Sequence, residues 1–287
     1  GQLKITSGVN LTLVGLGGNR TLTLSGSPGD DFVLESGSTL TLNGGTGLAV
    51  GIAFTGTGNT GVIAGTYNAS GANTSNTITT TGGTGTLVTV SGTVNNSILG
   101  ASGCLTGSAA TLSFTSTSSY THSAFTTTSG FVPTATWDTA SNIYITGGTT
   151  GTGVSGASGQ TFGNFTYNSA TSTATMSAFT STTTAVIQGN LTILATGVIG
   201  GTGIFRATTS GTLTVNGDVF ITQGKFQASS TSGTVIANGN TTIAANGILE
   251  LSTTGIGGFS QRGNLFTNDG VLTGTSGTLS FVNFTGS

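Results

Sequence analysis

The sequence predicts an all-β protein, a parallel β-helix (β-solenoid), and three observations lead there. A Gly-Asn or Gly-Asp pair opens the same phrase at Gly163-Asn164, Gly189-Asn190, Gly217-Asp218, Gly239-Asn240 and Gly263-Asn264, at intervals of 26, 28, 22 and 24 residues. Self-similarity at such a period marks stacked coils. Within each phrase apolar and variable positions alternate, the period of a strand with one buried face. Charged residues make up 4% of the chain, against roughly 25% in an ordinary soluble domain, while 34% are hydrophobic. That apolar content, placed in alternation, separates the chain from a disordered Gly/Ser linker.

Each coil reads as three short strands. The first follows the Gly-Asx pair. The second opens on another glycine, as in Gly203-Ile204-Phe205-Arg206-Ala207, Gly224-Lys225-Phe226-Gln227-Ala228, Gly247-Ile248-Leu249-Glu250-Leu251 and Gly270-Val271-Leu272-Thr273. Alternation places Phe205, Phe226, Leu249 and Leu272 in one inward column, beside Ala207, Ala228 and Leu251. Arg206, Gln227, Glu250 and Thr273 fall on the outward face, so Gln227→Asp is expected to be nearly silent. The third strand precedes the next pair, as in Thr212-Leu213-Thr214-Val215, Thr234-Val235-Ile236-Ala237 and Thr278-Leu279-Ser280-Phe281.

The whole chain, 1–287, is read as one solenoid, with less regular coils over 1–119, an irregular coil or excursion over 120–147 and regular coils over 148–287. The early phrases are Asn10-Leu11-Thr12-Leu13, Thr21-Leu22-Thr23-Leu24, Thr39-Leu40-Thr41-Leu42, Leu87-Val88-Thr89-Val90 and Thr111-Leu112-Ser113-Phe114. Coils of about 22–28 residues, rising ~4.8 Å each, give about twelve coils and a rod of roughly 55 Å. The connection rule favours a right-handed coil.

The stretch 120–147 carries a resemblance. Tyr120-Thr-His122, Phe131-Val-Pro133-Thr-Ala-Thr-Trp137-Asp138, Ile143-Tyr-Ile-Thr-Gly147 and Gln160-Thr-Phe-Gly-Asn-Phe-Thr-Tyr167 resemble the phrase order of large, secreted, repeat-rich surface proteins of Bacteroidota. The resemblance runs from Tyr120 to Ser252 and implies a parallel β-helix exported by the type IX route. It implies no catalytic residues, and the usual sorting domain of that route is not evident here. Asp138-Thr139-Ala140 resembles an O-glycosylation site of the same proteins, but it is a single short match and reads better as a turn.

Chemistry finds little footing. The acids Asp30, Asp31, Glu35, Asp138, Asp218, Glu250 and Asp269 and the bases Lys4, Arg20, Arg206, Lys225 and Arg262 scatter over separate coils, whereas a solenoid lyase or glycosidase clusters them in a cleft. Asp30, Asp31 and Glu35 follow the Pro28-Gly29 turn and read as solvated; no EF-hand or nonapeptide calcium motif surrounds them. His122 is the only histidine, which leaves no zinc pair or triad relay. The expectation is a protein with no catalytic residues, no cofactor and no metal. A net charge of −2 with five basic residues disfavours nucleic acid. Gly, Thr and Ser interrupt every apolar run, so no membrane insertion is expected. Cys104, alone, is expected to be a small core residue. The start at Gly1 is consistent with removal of an export signal, and the expected location is extracellular or at the cell surface. The nine Asn-x-Ser/Thr sequons, at Asn10, Asn19, Asn68, Asn73, Asn95, Asn164, Asn190, Asn240 and Asn283, are close to chance in so Ser/Thr-rich a chain. Several read better as corner asparagines that ladder between coils.

Two functions fit. The first is a structural block of an extracellular fibre or filament, a head-to-tail homopolymer in which Leu3 and Ile5 of one copy meet Leu279, Phe281 and Phe284 of the next, because neither end carries a capping sequence. The second is an adhesin stalk with a face for surface glycans, on which Phe220 and Phe266 are the expected outward aromatic contacts. Ice binding through Thr-x-Thr rows, at Thr21, Thr39 and Thr212, is an outside reading, since those copies share no fixed period.

Overall fold

The computed structural model describes residues 1–26, 29–45, 47–71, 76–98, 103–123, 130–148, 153–179 and 183–282. Every regular element among them is a strand, and the chain is a parallel β-solenoid. It divides into two compact units, Gly1–Phe125 with Phe131–Asn142, and Thr126–Gly130 with Ile143–Ser287.

In the first unit three parallel sheets surround one core. One sheet stacks Leu3–Ile5, Gly29–Leu34, Asn59–Ile63, Leu87–Val90, Leu112–Phe114 and Thr136–Trp137; another stacks Asn10–Val14, Thr39–Gly44, Thr66–Gly71, Thr93–Asn96 and Ser119–His122. The remaining sheet holds Arg20–Leu24, Val50–Phe54, Thr77–Thr79 and Leu105–Thr106. The early coils keep register in space: Thr39, Thr66, Thr93 and Ser119, 26 or 27 residues apart in the chain, stand in one column. Corners absorb the variation in coil length, because only strand residues must match across a ladder.

Phe32 faces Gly61 in register, and a Cβ on Gly61 would lie 2.9 Å from the Phe54 ring. The missing side chain makes room for a ring from another sheet. The stretch read as an irregular coil or an excursion supplies aromatic rings to this core. Phe114 and Trp137 stack at 3.9 Å, and Tyr120 meets each edge-on at 6.3 Å. Burial of aromatic surface outweighs irregular spacing here.

The second unit shows the predicted repeat. Phe205, Phe226, Leu249 and Leu272 stand in register as one inward column, and the first three are fully buried. Val219–Ser229 and Thr241–Glu250 each join two predicted strands into one bent strand. Gly224 makes that bend at φ +82°, and a Cβ there would sit 2.1 Å from Thr196 Oγ1. The third predicted strand forms its own sheet, running through Ala185–Ile187, Thr212–Val215, Thr234–Ala237, Gly258–Gln261 and Thr278–Phe281. Coils measured by register span twenty residues from Gly258 to Thr278 and thirty from Arg20 to Val50, wider than the expected range.

Candidate functional site

Two classes of surface stand out, the open strand edges of the outermost described coils and the outward columns of polar side chains. Leu3–Ile5, Asn10–Val14 and Arg20–Leu24 each pair on one side only, with the coil above. Their other side leaves Leu16 74% and Leu22 42% exposed. Leu13, Val14, Arg20, Leu22 and Val50 line a hollow of about 390 Å³ there. At the last described coil Phe266–Asn268, Val271–Thr273 and Thr278–Phe281 also pair on one side only among the described residues. Val271, Leu272 and Phe281 are exposed, and Phe281 meets Phe266 edge-on at 5.4 Å. Inward positions lose their cover wherever no further coil stacks on them.

The expected assembly residues divide accordingly. Leu3 and Leu279 are half-buried and Phe281 is exposed. Ile5 is 2% exposed, packed inside its own coil in register with Leu34 above, so its backbone and not its side chain lies at the edge. Phe284 lies outside the described residues. Of the two expected outward aromatics, Phe220 does face outward, half-buried between Thr192 and Thr242. Phe266 does not. It pairs with the inward Thr241, because the Leu265 amide, rather than that of Asn264, donates the ladder bond to Asn240 Oδ1 at 3.1 Å. A one-residue slip turns a side chain to the other face.

That ladder explains the Gly-Asx pairs. Asn190 N donates to Asn164 Oδ1 at 2.9 Å, Asp218 N to Asn190 Oδ1 at 2.9 Å and Asn240 N to Asp218 Oδ1 at 2.8 Å. The preceding glycine is needed for space, since a Cβ on Gly217 would meet Gly189 O at 2.4 Å. Three of the nine sequons are therefore corner ladder residues. On the outward face of the first unit Thr41, Asn68, Asn95 and Thr121 form a column beside Thr39, Thr66, Thr93 and Ser119. Asn95 Nδ2 donates to Asn68 Oδ1 at 2.9 Å and Ser119 Oγ to Thr93 Oγ1 at 3.2 Å. The array is uncharged and regular, its members 26 or 27 residues apart in the chain.

The ionisable groups lie in separate places. Lys4 Nζ lies 2.6 Å from Glu35 Oε1; the hydrogen bond to Lys4 and a second from Ser7 N hold Glu35 below the usual carboxylate range. Asp30 accepts from Thr60 Oγ1 at 2.7 Å on the surface. Asp31, expected to be solvated, is 6% exposed, because a bulge between Asp30 and Phe32 turns it inward. The outward Gln227 is also covered, at 1% exposure. Arg206 Nε donates to its Oε1 at 2.5 Å and its Nε2 donates to Glu250 Oε2 at 2.6 Å, while Lys225 Nζ reaches Glu250 Oε1 at 3.2 Å. Long side chains from adjacent coils enclose the amide. No sequence rule marks this, since alternation records direction and not what lies across the face.

Polar side chains also enter the core. His122 is fully buried, with Asn96 Nδ2 at 3.0 Å and Phe131 N at 3.2 Å from its Nδ1. Two donors at Nδ1 place the ring proton on Nε2, and burial pushes the imidazole down to about 4. Cys104 is a buried free thiol, as expected, and burial pushes it up. Among the described residues no three His, Cys, Asp or Glu side chains gather at a metal-binding distance, and no helix is long and apolar enough to cross a membrane.

Comparisons with family models, curated proteins and solved structures give no match to this chain.

Proposed function

We propose that this chain is a non-enzymatic structural protein of an extracellular fibre or surface layer, assembled by stacking an outer coil of one copy on an outer coil of the next. The observation that carries this reading is that the first and last described coils each have strand edges unpaired among the described residues, beside exposed apolar side chains. Such edges template further strands. Charge at 4% of residues offers little repulsion between copies. A contact that does not close on itself propagates as a filament. Location outside the cell belongs to the same reading, supported by the resemblance to secreted repeat proteins.

The test is sedimentation and electron microscopy of the full chain over a range of concentration, salt and pH. Val282 N donates to Gln261 O at 2.8 Å, so in a parallel strand the Leu279 and Phe281 amides point to the open side. Leu279→Pro with Phe281→Lys should therefore block filaments while the circular dichroism stays that of the unmodified chain. A wild type that stays monomeric throughout refutes the proposal.

A second reading is a surface-binding face, supported by the uncharged Thr/Asn columns and by Phe220 among its threonines. It predicts retention on an insoluble polysaccharide or on polycrystalline ice, lost when Thr66 and Thr93 become Arg.

A further inference from the structure

At one corner of the first unit a polar side chain folds back over a glycine in three successive coils. An ideal Cβ on Gly26 would lie 1.8 Å from Asp31 Oδ1, one on Gly56 2.9 Å from Asn59 Oδ1, and one on Gly82 2.7 Å from Thr86 Oγ1. Leu24 pairs with Phe54 and Thr60 with Leu87, so these groups follow one another at about the strand spacing, ~4.8 Å. The two later members donate to the coil below. Asn59 Nδ2 bonds Leu24 O at 3.1 Å and Thr86 Oγ1 bonds Gly56 O at 3.3 Å.

Asp31 breaks the pattern, because an ionised carboxylate has nothing to donate. It is 6% exposed and its Oδ2 has no hydrogen-bond partner among the described residues; Asn59 of the next coil is fully buried and its Oδ1 has none among them either. The bases of this region are engaged elsewhere, Lys4 with Glu35 and Arg20 with Asn19 O. Two buried acceptors in one column, one of them a carboxylate, call for something positive between them.

We propose that the Asp31–Asn59 corner is a cation site, taking calcium through the Asp31 carboxylate and the Asn59 side-chain carbonyl. These are the hard oxygen donors that ion prefers, with water completing its shell. Bound there, the ion ties the second coil to the third and joins an otherwise incomplete polar column. The inference is independent of filament assembly.

Equilibrium dialysis of the chelator-treated full chain against labelled calcium should find one saturable site per chain. Its midpoint is expected in the range of about 10⁻⁴ to 10⁻³ M typical of extracellular modules, and the melting temperature should rise with calcium by mass action. Asp31→Asn, which supplies an amide donor in place of the charge, should abolish both responses, whereas Asp30→Asn on the outer surface should keep them. Absence of saturable binding to the wild type overturns the proposal whatever the variants do. So does binding retained by Asp31→Asn, or a melting temperature that follows pH and not calcium, which assigns a proton shared by the two oxygens.

Discussion

Replacing Gln227 by Ala tests whether the outward face of the second unit is a closed network or a solvated surface. Strand alternation alone makes Gln227 an exposed position, where substitution is worth within about ±0.5 kcal/mol. The structure gives it 1% exposure and two charge-assisted bonds, at 2.5 Å from Arg206 and 2.6 Å to Glu250. Arg206 is half-buried and can turn to water. Glu250 is 8% exposed and, among the described residues, keeps Lys225 at 3.2 Å on its other oxygen. The loss is therefore set by a stranded carboxylate oxygen, about 1–3 kcal/mol. Phe226→Ala, the neighbour on the inward side, provides the scale. Its ring is fully buried and lies 6.1 Å from that of Phe205, so its removal should cost about 3–5 kcal/mol. Urea unfolding followed by circular dichroism gives the global values. Amide exchange over 204–251 is the sharper assay, because stacked coils open locally. Adding Glu250→Gln to Gln227→Ala should recover part of the loss, a coupling of about 0.5–3 kcal/mol expected of groups in one network. A silent Gln227→Ala, or strict additivity of the pair, refutes the network.

Two further outcomes follow from buried groups and tight corners. His122 titrates at about 4 folded against 6.5 in its ordinary state, so the unfolded chain binds the proton first; stability is intact above about pH 6.5 and falls by about 3 kcal/mol as pH drops to about 4. Melts of the wild type and His122→Gln across that range should diverge, and parallel curves would sink the assignment. Gly217→Ala forces a Cβ to 2.4 Å from Gly189 O and should cost about 1–3 kcal/mol, whereas Gly45→Ala, with its nearest atom at 3.9 Å, should be near neutral; equal melting temperatures would show that the corner ladder yields.

The sequence by itself determined the solenoid, the inward column of Phe205, Phe226, Leu249 and Leu272, and the corner role of the Gly-Asx pairs. These are local patterns: alternation within a strand and a glycine where a neighbouring backbone approaches are legible wherever the repeat recurs. Tertiary structure decided what depends on the adjacent coil. Phe266 turned inward because the ladder slipped by one residue at Leu265. Gln227 became buried because Arg206 and Glu250 enclose it from the coils on either side. Asp31 was drawn under a corner by a bulge that has no signature in Asp30-Asp31-Phe32. The threonine columns of the first unit, whose members lie 26 or 27 residues apart in the chain, became one face because register is fixed by pairing between strands. Alternation fixes the direction of a side chain, and stacking fixes what it meets there.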